Sequence, residues 1–500
     1  MTRRLLWASV VCWIAIGWCS AEVLLPHVLS DHAVLQRNQP IRIWGWSNPS
    51  EKVTVKFHDQ TIASTADSYG SWEAWLKPET AGGPYTLTVL GTSSANPLER
   101  VDILVGDVWI ASGQSNMEFP LTGFTGAPLK NGEAEVAGAK QPNLRILLQN
   151  QRVSAVPMSD SDDTWKECTP ETAREFSAIA YLFGREISAK NHVPVGLIDA
   201  TWGGTPAQAW MSLGGIAYAS LPSIASDAAR VAREQGRADE IRTVNAAQDL
   251  ALKAAGKTVV PRDRIPNDHG GSWTPAALYN AMISPYTKYT IKGAIWYQGE
   301  TDATTDRASN YARVFAALIQ DWRSQWSEGP FPFLFVQLSS YGDDVNWGAV
   351  RDAQRRTLAL ENTGMAVSID IGVTNNIHPP DKQTVAARLA QTALGMVYGK
   401  DIEFRSPTFV EATSEGSSIR VWFTHAEGLT SKNDVLDDFE VAGEDHKFMP
   451  ATGKIEKTTV LVTSPSITAP KYVRYGWKGT VTSWFYNSAG LPVGTFTSEP

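Results

Sequence analysis

Two kinds of hydrophobic pattern alternate along this chain. From residue 22 to about residue 105, apolar and polar residues alternate in short runs, as at Val53, Val55 and Phe57, and turn residues separate the runs. A period of two with frequent turns is typical of antiparallel strands that bury one face. The pattern therefore predicts an N-terminal β-sandwich over residues 22–105.

From residue 106 the pattern changes to continuous apolar runs that alternate with longer stretches of helical spacing. The apolar runs are Val193–Ala200, Gly293–Tyr297, Phe331–Leu338 and Met365–Ile371, and the helical stretches include Ala178–Ala189, Tyr311–Trp326, Val350–Leu360 and Thr384–Tyr398. This alternation predicts a parallel sheet with helices on both faces. We expect such an α/β domain over residues 106–400, with a helical insertion over residues 206–290 at the sheet edge.

After about residue 400 the alternating pattern returns. Ile419, Val421 and Phe423 are separated by polar or amphipathic residues, and Pro and Gly turns divide the later runs. The pattern predicts a C-terminal β domain over residues 401–500, which we expect to be a β-sandwich like the N-terminal one.

The composition limits the classes of partner. The chain has 44 basic and 52 acidic residues and a formal net charge of −8. A net negative charge argues against nucleic acid or an anionic membrane surface as the partner. Neither of these two partners is therefore expected.

The first 21 residues resemble a secretory signal peptide. Arg3 and Arg4 precede the apolar stretch Leu5–Trp18, and small residues end at Ala21. This order predicts export to the periplasm or the extracellular medium. No other apolar segment is long enough to span a bilayer, so no membrane span is expected.

Cysteine usage narrows the possible chemistry. Of the three cysteines, Cys12 and Cys19 lie in the predicted signal peptide, which leaves Cys168 alone in the mature chain. With only one cysteine in the mature chain, the sequence argues against metal sites built from cysteine pairs and against Cys–His catalysis.

The stretch Gly106–Glu118 is the strongest candidate for a catalytic motif. A short apolar run, Val108–Ala111, ends abruptly in Ser-Gly-Gln-Ser-Asn. Ligands of open α/β sheets bind at the carboxyl ends of the strands. The pattern therefore predicts that Ser115 leaves its strand at the ligand-binding edge, although a simple strand-to-loop turn would look similar.

Three later segments are predicted to reach the same edge. They are Asp199–Thr205 with its paired glycines, Ile295–Asp302 with an amide and a carboxylate, and Asp370–Lys382 with one histidine before a helix. Paired glycines let backbone N–H groups approach a ligand closely.

These segments supply the groups that ester hydrolysis by a serine requires. A serine hydroxyl needs a base, for which histidine is suited near neutral pH, and the tetrahedral intermediate needs donors to its oxyanion. Ser115 is the candidate nucleophile and His378 the candidate base, whereas a structural histidine is the alternative for His378. The candidate oxyanion donors are the N–H of Ser115, the N–H of Gly204 and the side-chain amide of Gln298.

Four motifs in this order resemble the sialate O-acetylesterase family of SGNH-type (GDSL-like) hydrolases. They are Ser-Gly-Gln-Ser-Asn-Met-Glu, Trp-Gly-Gly-Thr, Trp-Tyr-Gln-Gly-Glu and Ile-His-Pro-x-x-Lys. The family includes bacterial carbohydrate acetylesterases that act on plant polysaccharides. The resemblance implies a flavodoxin-like three-layer α/β/α fold, no metal or other cofactor, and removal of acetyl groups from sugar hydroxyls.

The resemblance also implies the roles of individual residues. Ser115 matches the family's nucleophile and His378 its base. Gly204 and Gln298 match the oxyanion-hole positions, with Gly203 as the alternative to Gly204.

One position departs from the family pattern. Related proteins usually have aspartate three residues before the histidine, whereas this chain has Asn375. Either Asn375 or a backbone carbonyl orients His378 in a Ser–His pair, or another carboxylate replaces the aspartate. Glu300 is the first candidate for that carboxylate, followed by Asp302 and Asp370, and a structural role for Glu300 is the alternative.

Together these observations predict an exported serine esterase that deacetylates a carbohydrate through an acetyl-enzyme. The substrate is expected to be sialic acid or a plant polysaccharide such as xyloglucan or xylan. The alternative is a non-catalytic carbohydrate-binding protein on an esterase scaffold. A lipase or thioesterase is less favoured, because nothing in the sequence indicates a long apolar acyl pocket.

Overall fold

The computed structural model describes residues 22–256, 271–343, 346–433 and 435–500. The predicted signal peptide, residues 1–21, lies outside the described residues. The first strands in chain order are β1 Val34–Gln36, β2 Ile41–Trp46, β3 Lys52–Phe57, β4 Gln60–Thr65, β5 Ser71–Leu76, β6 Gly82–Gly91 and β7 Leu98–Gly113.

Strands β1 to β6 form the N-terminal β region. Strand β3 pairs with β4 and β6, while β2 pairs with β5, and all of these pairs are antiparallel. Along β3, Val53, Val55 and Phe57 are buried and the residues between them are not. The predicted period of two is therefore confirmed in this strand.

Strand β7 joins this β region to the central sheet. Its first half pairs with β6, and its second half, from Asp107 to Gly113, pairs in parallel with β10. The boundary predicted between residues 105 and 106 falls within this single strand. One continuous hydrophobic core also includes residues from both sides of it, such as Val55 and Ile110.

The next elements build the central sheet and its helices. In chain order they are α1 Ser115–Glu118, α2 Gly132–Ala137, β8 Gln141–Leu148, β9 Lys166–Cys168, α3 Ala178–Asn191, β10 Val195–Thr201, α4 Leu213–Tyr218, α5 Pro222–Ala254, β11 Gly293–Tyr297, α6 Thr305–Ala308, α7 Tyr311–Trp326, β12 Phe333–Gln337, α8 Asn346–Thr357, β13 Thr363–Val367 and α9 Lys382–Met396.

The central sheet has the strand order β13-β12-β11-β7-β10-β8-β9. All neighbouring pairs are parallel except β8 with the short edge strand β9. Without β8, the parallel strands follow the flavodoxin-like order 2-1-3-4-5, with β7 as the first strand. The order reverses between β7 and β11, so ligands are expected where these two strands end.

Helices cover both faces of this sheet. Helices α8 and α9 each contact β12 and β13, but α8 packs on α7 whereas α9 packs on α3. The predicted α/β sheet with flanking helices is therefore confirmed. Within the predicted insertion, α5 is a single helix of 33 residues, and residues 257–270 lie outside the described residues.

The last strands form the C-terminal β domain. They are β14 Thr408–Glu415, β15 Ser418–Thr424, β16 Thr430–Ser431, β17 Leu436–Ala442, β18 Met449–Glu456, β19 Thr459–Thr463, β20 Tyr472–Tyr475, β21 Phe485–Tyr486 and β22 Phe496–Thr497. Seven of them make one antiparallel sheet, in the order β14-β15-β19-β18-β17-β20-β22, and β16 pairs with β21. The domain is therefore built on one main sheet, rather than on the two large packed sheets expected of a β-sandwich. Most of this domain's buried residues form a second hydrophobic core.

Within the described ranges, no helix is both long enough and apolar enough to cross a membrane.

Candidate active site

Ser115 lies where the chain leaves the central sheet. Strand β7 ends at Gly113, and Ser115 is the first residue of the short helix α1. The first N–H groups of a helix have no partner within the helix. The N–H of Ser115 also makes no hydrogen bond elsewhere in the described part of the chain, so it can donate to a ligand.

His378 reaches Ser115 from the loop that precedes α9. Its Nε2 lies 2.8 Å from Oγ of Ser115, a hydrogen-bonding distance. The backbone N–H of His378 donates to Oδ1 of Asn376 at 2.9 Å, and the rings of Phe119 and Phe124 lie beside the imidazole. The structure therefore brings together the candidate nucleophile and the candidate base.

The surroundings of His378 favour its neutral form. Burial lowers the pKa of the imidazole, and the nearby positive charge of Lys382 lowers it further. A neutral imidazole can accept a proton from a serine hydroxyl, whereas an imidazolium cannot.

The two glycines after β10 have different roles. A Cβ on Gly203 would lie 3.2 Å from Cβ of Ser115 and 2.9 Å from a carboxylate oxygen of Glu118, so a larger residue would crowd the nucleophile. The N–H of Gly203 is already used, since it donates to Glu118. Gly204 has a φ of +69°, and no atom lies within 4 Å of where its Cβ would be.

Gly204 is therefore better suited than Gly203 to donate to a ligand. Its N–H has no hydrogen-bond partner among the described residues, and the residue is exposed.

In this structure the side-chain amide of Gln298, the predicted oxyanion donor, is hydrogen-bonded to groups other than the reacting pair. Its Nε2 donates to Oδ2 of Asp302 at 2.6 Å and to the carbonyl of Thr205 at 3.1 Å, which occupies both amide hydrogens. Its Oε1 accepts from the hydroxyl of Tyr311 at 3.0 Å. The side chain is fully buried, so this arrangement leaves it no hydrogen for an oxyanion.

Asn375 does not orient His378 in this structure. The side chain is exposed in the turn Val373–Asn376 and makes no hydrogen bond to a described residue. Nδ1 of His378 likewise has no hydrogen-bond partner in the described ranges. The predicted contact between Asn375 and His378 is therefore not formed.

None of the candidate carboxylates replaces that contact. Glu300 is buried and accepts from Nδ2 of Asn116, and burial raises its pKa. Asp302 accepts from Gln298 and from the N–H of Ala207, whereas Asp370 forms a two-pronged ion pair with Arg388. All three carboxylates therefore have structural partners, as the alternative for Glu300 anticipated.

Sequence reasoning missed the roles of Asn116 and Lys382. Asn116 is 1% exposed and hydrogen-bonds to Glu300, to Lys382 and to the carbonyl of Ile377. Both residues belong to the recognised motifs, since Asn116 follows Ser115 and Lys382 ends Ile-His-Pro-x-x-Lys. The signal was present, but the sequence does not reveal that the two side chains meet.

Two groups of side chains in the described part of the chain could hold a metal ion. They are His32 with Asp102 and Glu167, and His58 with Asp59 and Glu79. Neither group includes Ser115 or His378.

A doubly wound α/β sheet with a Ser–His pair at its switch point is the arrangement of a serine hydrolase. Comparison with known proteins agrees with this class. A family model described as carbohydrate esterase, sialic acid-specific acetylesterase, matches residues 257–400.

Whole proteins also match over most of their length. The sialate O-acetylesterase of Pongo abelii is 30% identical over 81% of this chain and 75% of its own. The human sialate O-acetylesterase is 29% identical, over 98% of this chain and 94% of its own. The solved structure of XAC1771, a carbohydrate acetylesterase from Xanthomonas citri, is 35% identical with a TM-score of 0.80, and the match covers 95% of this chain and 99% of that one.

The chain therefore belongs to the sialate O-acetylesterase family. It is a carbohydrate acetylesterase, a carboxylic ester hydrolase. The alternative of a non-catalytic binding protein is not retained.

Proposed function

We propose that this protein is an exported esterase that removes acetyl groups from sugar hydroxyls, with Ser115 as nucleophile and His378 as general base. The observation that carries the proposal is the 2.8 Å distance between Oγ of Ser115 and Nε2 of His378. The location of this pair, where β7 ends beside β11, supports it further.

The chemistry proceeds in two displacements. Oγ of Ser115 attacks the acetyl carbonyl carbon while Nε2 of His378 takes the hydroxyl proton. The tetrahedral intermediate collapses when His378 returns that proton to the departing sugar oxygen, which leaves a free sugar hydroxyl and an acetyl group on Ser115. Water then attacks the acetyl carbon and gives one proton to His378. His378 passes that proton to Oγ of Ser115 as acetic acid leaves, and the acid ionises to acetate in solution.

Two backbone N–H groups are the proposed oxyanion donors. Those of Ser115 and Gly204 have no other partner in the described residues, whereas the amide of Gln298 has two. Donors that are fixed before the reaction stabilise the developing charge without reorganisation. Gln298 then acts indirectly, because its bond to the carbonyl of Thr205 holds the loop that carries Gly204.

His378 works without a carboxylate partner in this proposal. The rings of Phe119 and Phe124 and the backbone bond to Asn376 hold the imidazole in place. A base in such a pair is oriented by packing rather than by the charge of an acid.

Family relatives and sequence features support the substrate class and the location. The mammalian relatives are named sialate O-acetylesterases, and XAC1771 is described as a carbohydrate acetylesterase. Export rests on the charged start, apolar stretch and small-residue end of residues 1–21. The proposed substrates are O-acetylated sialic acids or acetylated plant polysaccharides such as xyloglucan and xylan.

A panel of acetylated sugars tests this proposal. Acetate release would be measured with O-acetylated sialic acid and with acetylated xylan and xyloglucan oligosaccharides, beside Ser115→Ala as the inactive control. Activity on at least one member is expected, and activity only on non-carbohydrate esters would contradict the substrate class. N-terminal sequencing of exported protein would test the location, since processing after Ala21 is expected and an uncleaved cytoplasmic product would contradict export.

A further inference from the structure

Asn116 lies at the centre of a buried network next to the reacting pair. Its Nδ2 donates to the carbonyl of Ile377 at 3.0 Å and to a carboxylate oxygen of Glu300, and its Oδ1 accepts from Nζ of Lys382. Asn116 directly follows Ser115, and Ile377 directly precedes His378. A single side chain therefore ties the nucleophile's loop to the base's loop.

The network contains a cation and an anion that are both removed from water. Lys382 is 1% exposed and Glu300 is 8% exposed. The ammonium of Lys382 lies 4.6 Å from the ring centroid of Phe119 and 5.9 Å from that of Tyr297. Burial lowers the pKa of Lys382 to about 7 and raises that of Glu300. Buried charges are costly unless they are paired, and such groups are concentrated at functional sites.

We propose that Lys382, Asn116 and Glu300 form a positioning network that holds Ser115 at hydrogen-bonding distance from His378, with the ammonium of Lys382 facing the base. The inference rests on the proposed roles of Ser115 and His378. It goes beyond them by assigning a function to three side chains that do not themselves react.

The network also affects the charge of the base. Three ionisable groups face Lys382. Tyr297 ends β11, Glu300 lies in the loop that follows β11, and His378 lies in the loop before α9. A protonated His378 would face the positive charge of Lys382, which disfavours the imidazolium. The resting base is thus kept neutral, ready to accept the proton of Ser115.

The first test removes both buried charges together. In Lys382→Met combined with Glu300→Gln, the glutamine amide oxygen can still accept from Asn116, so no lone charge is left buried. We expect kcat for p-nitrophenyl acetate to fall by about 10²-fold, the scale of a small misplacement of reacting groups, with KM changed by less than about threefold. The acid limb of the pH profile of kcat/KM should also move to higher pH. A purely structural role would not move that limb.

A second variant covers the possibility that the double variant does not fold. Asn116→Ser is too short to reach Ile377, Glu300 and Lys382 at once, so kcat should fall by about tenfold or more. Lys288→Met, at an exposed lysine that precedes β11 in the chain, is the control substitution and should behave as wild type. Wild-type kcat in a folded Asn116→Ser, or wild-type kcat and acid limb in the double variant, would overturn the network.

Ser115→Ala, measured alongside, separates the two possible failures. Activity above about a thousandth of wild type in Ser115→Ala would reject the catalytic roles themselves. An inactive Ser115→Ala together with fully active network variants would reject only the network.

Discussion

The hydroxyl oxygen of Ser115 lies 2.8 Å from Nε2 of His378, although the two residues are 263 positions apart in the sequence. The sheet explains how they meet. Strand β7 delivers Ser115 at the switch point, and the chain then adds the other parallel strands before the loop with His378.

The charge state of His378 predicts the pH dependence of the reaction. Burial and the charge of Lys382 lower its pKa below the ordinary value of about 6.5, so the neutral base persists to lower pH. The acid limb of kcat/KM, measured from about pH 4 to about pH 8, should therefore have its midpoint below about 6.5. A midpoint above about 7 would contradict the environment described for the imidazole.

Substitution of Gln298 would distinguish a catalytic role of this residue from a structural one. Replacement by leucine leaves the carbonyl of Thr205 without its side-chain donor and Asp302 with only the N–H of Ala207. The free energy of unfolding should therefore fall by about 1–3 kcal/mol. Chemical denaturation would measure this loss. If Gln298 instead donated to the oxyanion, kcat would fall by about 10²–10³ with stability unchanged. That result would restore the role predicted from the sequence.

Asn375 should tolerate substitution. Because its exposed side chain makes no hydrogen bond to a described residue, Asn375→Ala should keep kcat/KM within about threefold of wild type. Steady-state kinetics would check this. A loss of about 10²-fold or more would mean that Asn375 does contact His378 during the reaction, as the sequence suggested.

Sequence periodicity predicted several elements closely. Strand β11 and helix α7 have the bounds expected from their apolar spacing, because each forms part of the buried core. The sequence pattern did not show that a single strand, β7, runs through the predicted domain boundary between residues 105 and 106. The pattern changes there because β7 moves from one set of neighbours to another, while its backbone remains extended.

The site was predictable only in part, because the contacts that orient its side chains come from distant parts of the chain. Motifs can indicate which residues gather at a sheet edge, and Ser115 and His378 do meet there. The direction of a side chain depends on partners from other segments. Asp302, Thr205 and Tyr311 turn the amide of Gln298 away, and only the folded chain brings these groups together.

Arg351 should be essential for joining the catalytic and C-terminal domains. Its guanidinium is fully buried and donates to five carbonyls on both sides of the junction, those of Leu338, Ser339, Gly476, Lys478 and Gly479. Arg351→Met would remove all five bonds. The carbonyls of Ser339, Gly476 and Gly479 would keep one other donor each, whereas those of Leu338 and Lys478 would lose their side-chain donor. We expect the free energy of unfolding to fall by more than about 3 kcal/mol.

Calorimetry would measure this loss against a matched control. Arg230→Met, at an exposed position of α5, should change stability by less than about 0.5 kcal/mol. Equal, small effects of the two substitutions would show that Arg351 does not hold the domains together.

In the proposed mechanism, ester hydrolysis passes through an acetyl group on Ser115. Acid quenching during turnover of p-nitrophenyl acetate, followed by peptide mass spectrometry, tests it most directly. We predict one acetyl group on Ser115 in the wild-type enzyme, and no acetylated peptide and no turnover in Ser115→Ala. Acetylation of a different residue as the intermediate, or turnover by Ser115→Ala above about a thousandth of the wild-type rate, would contradict the claim.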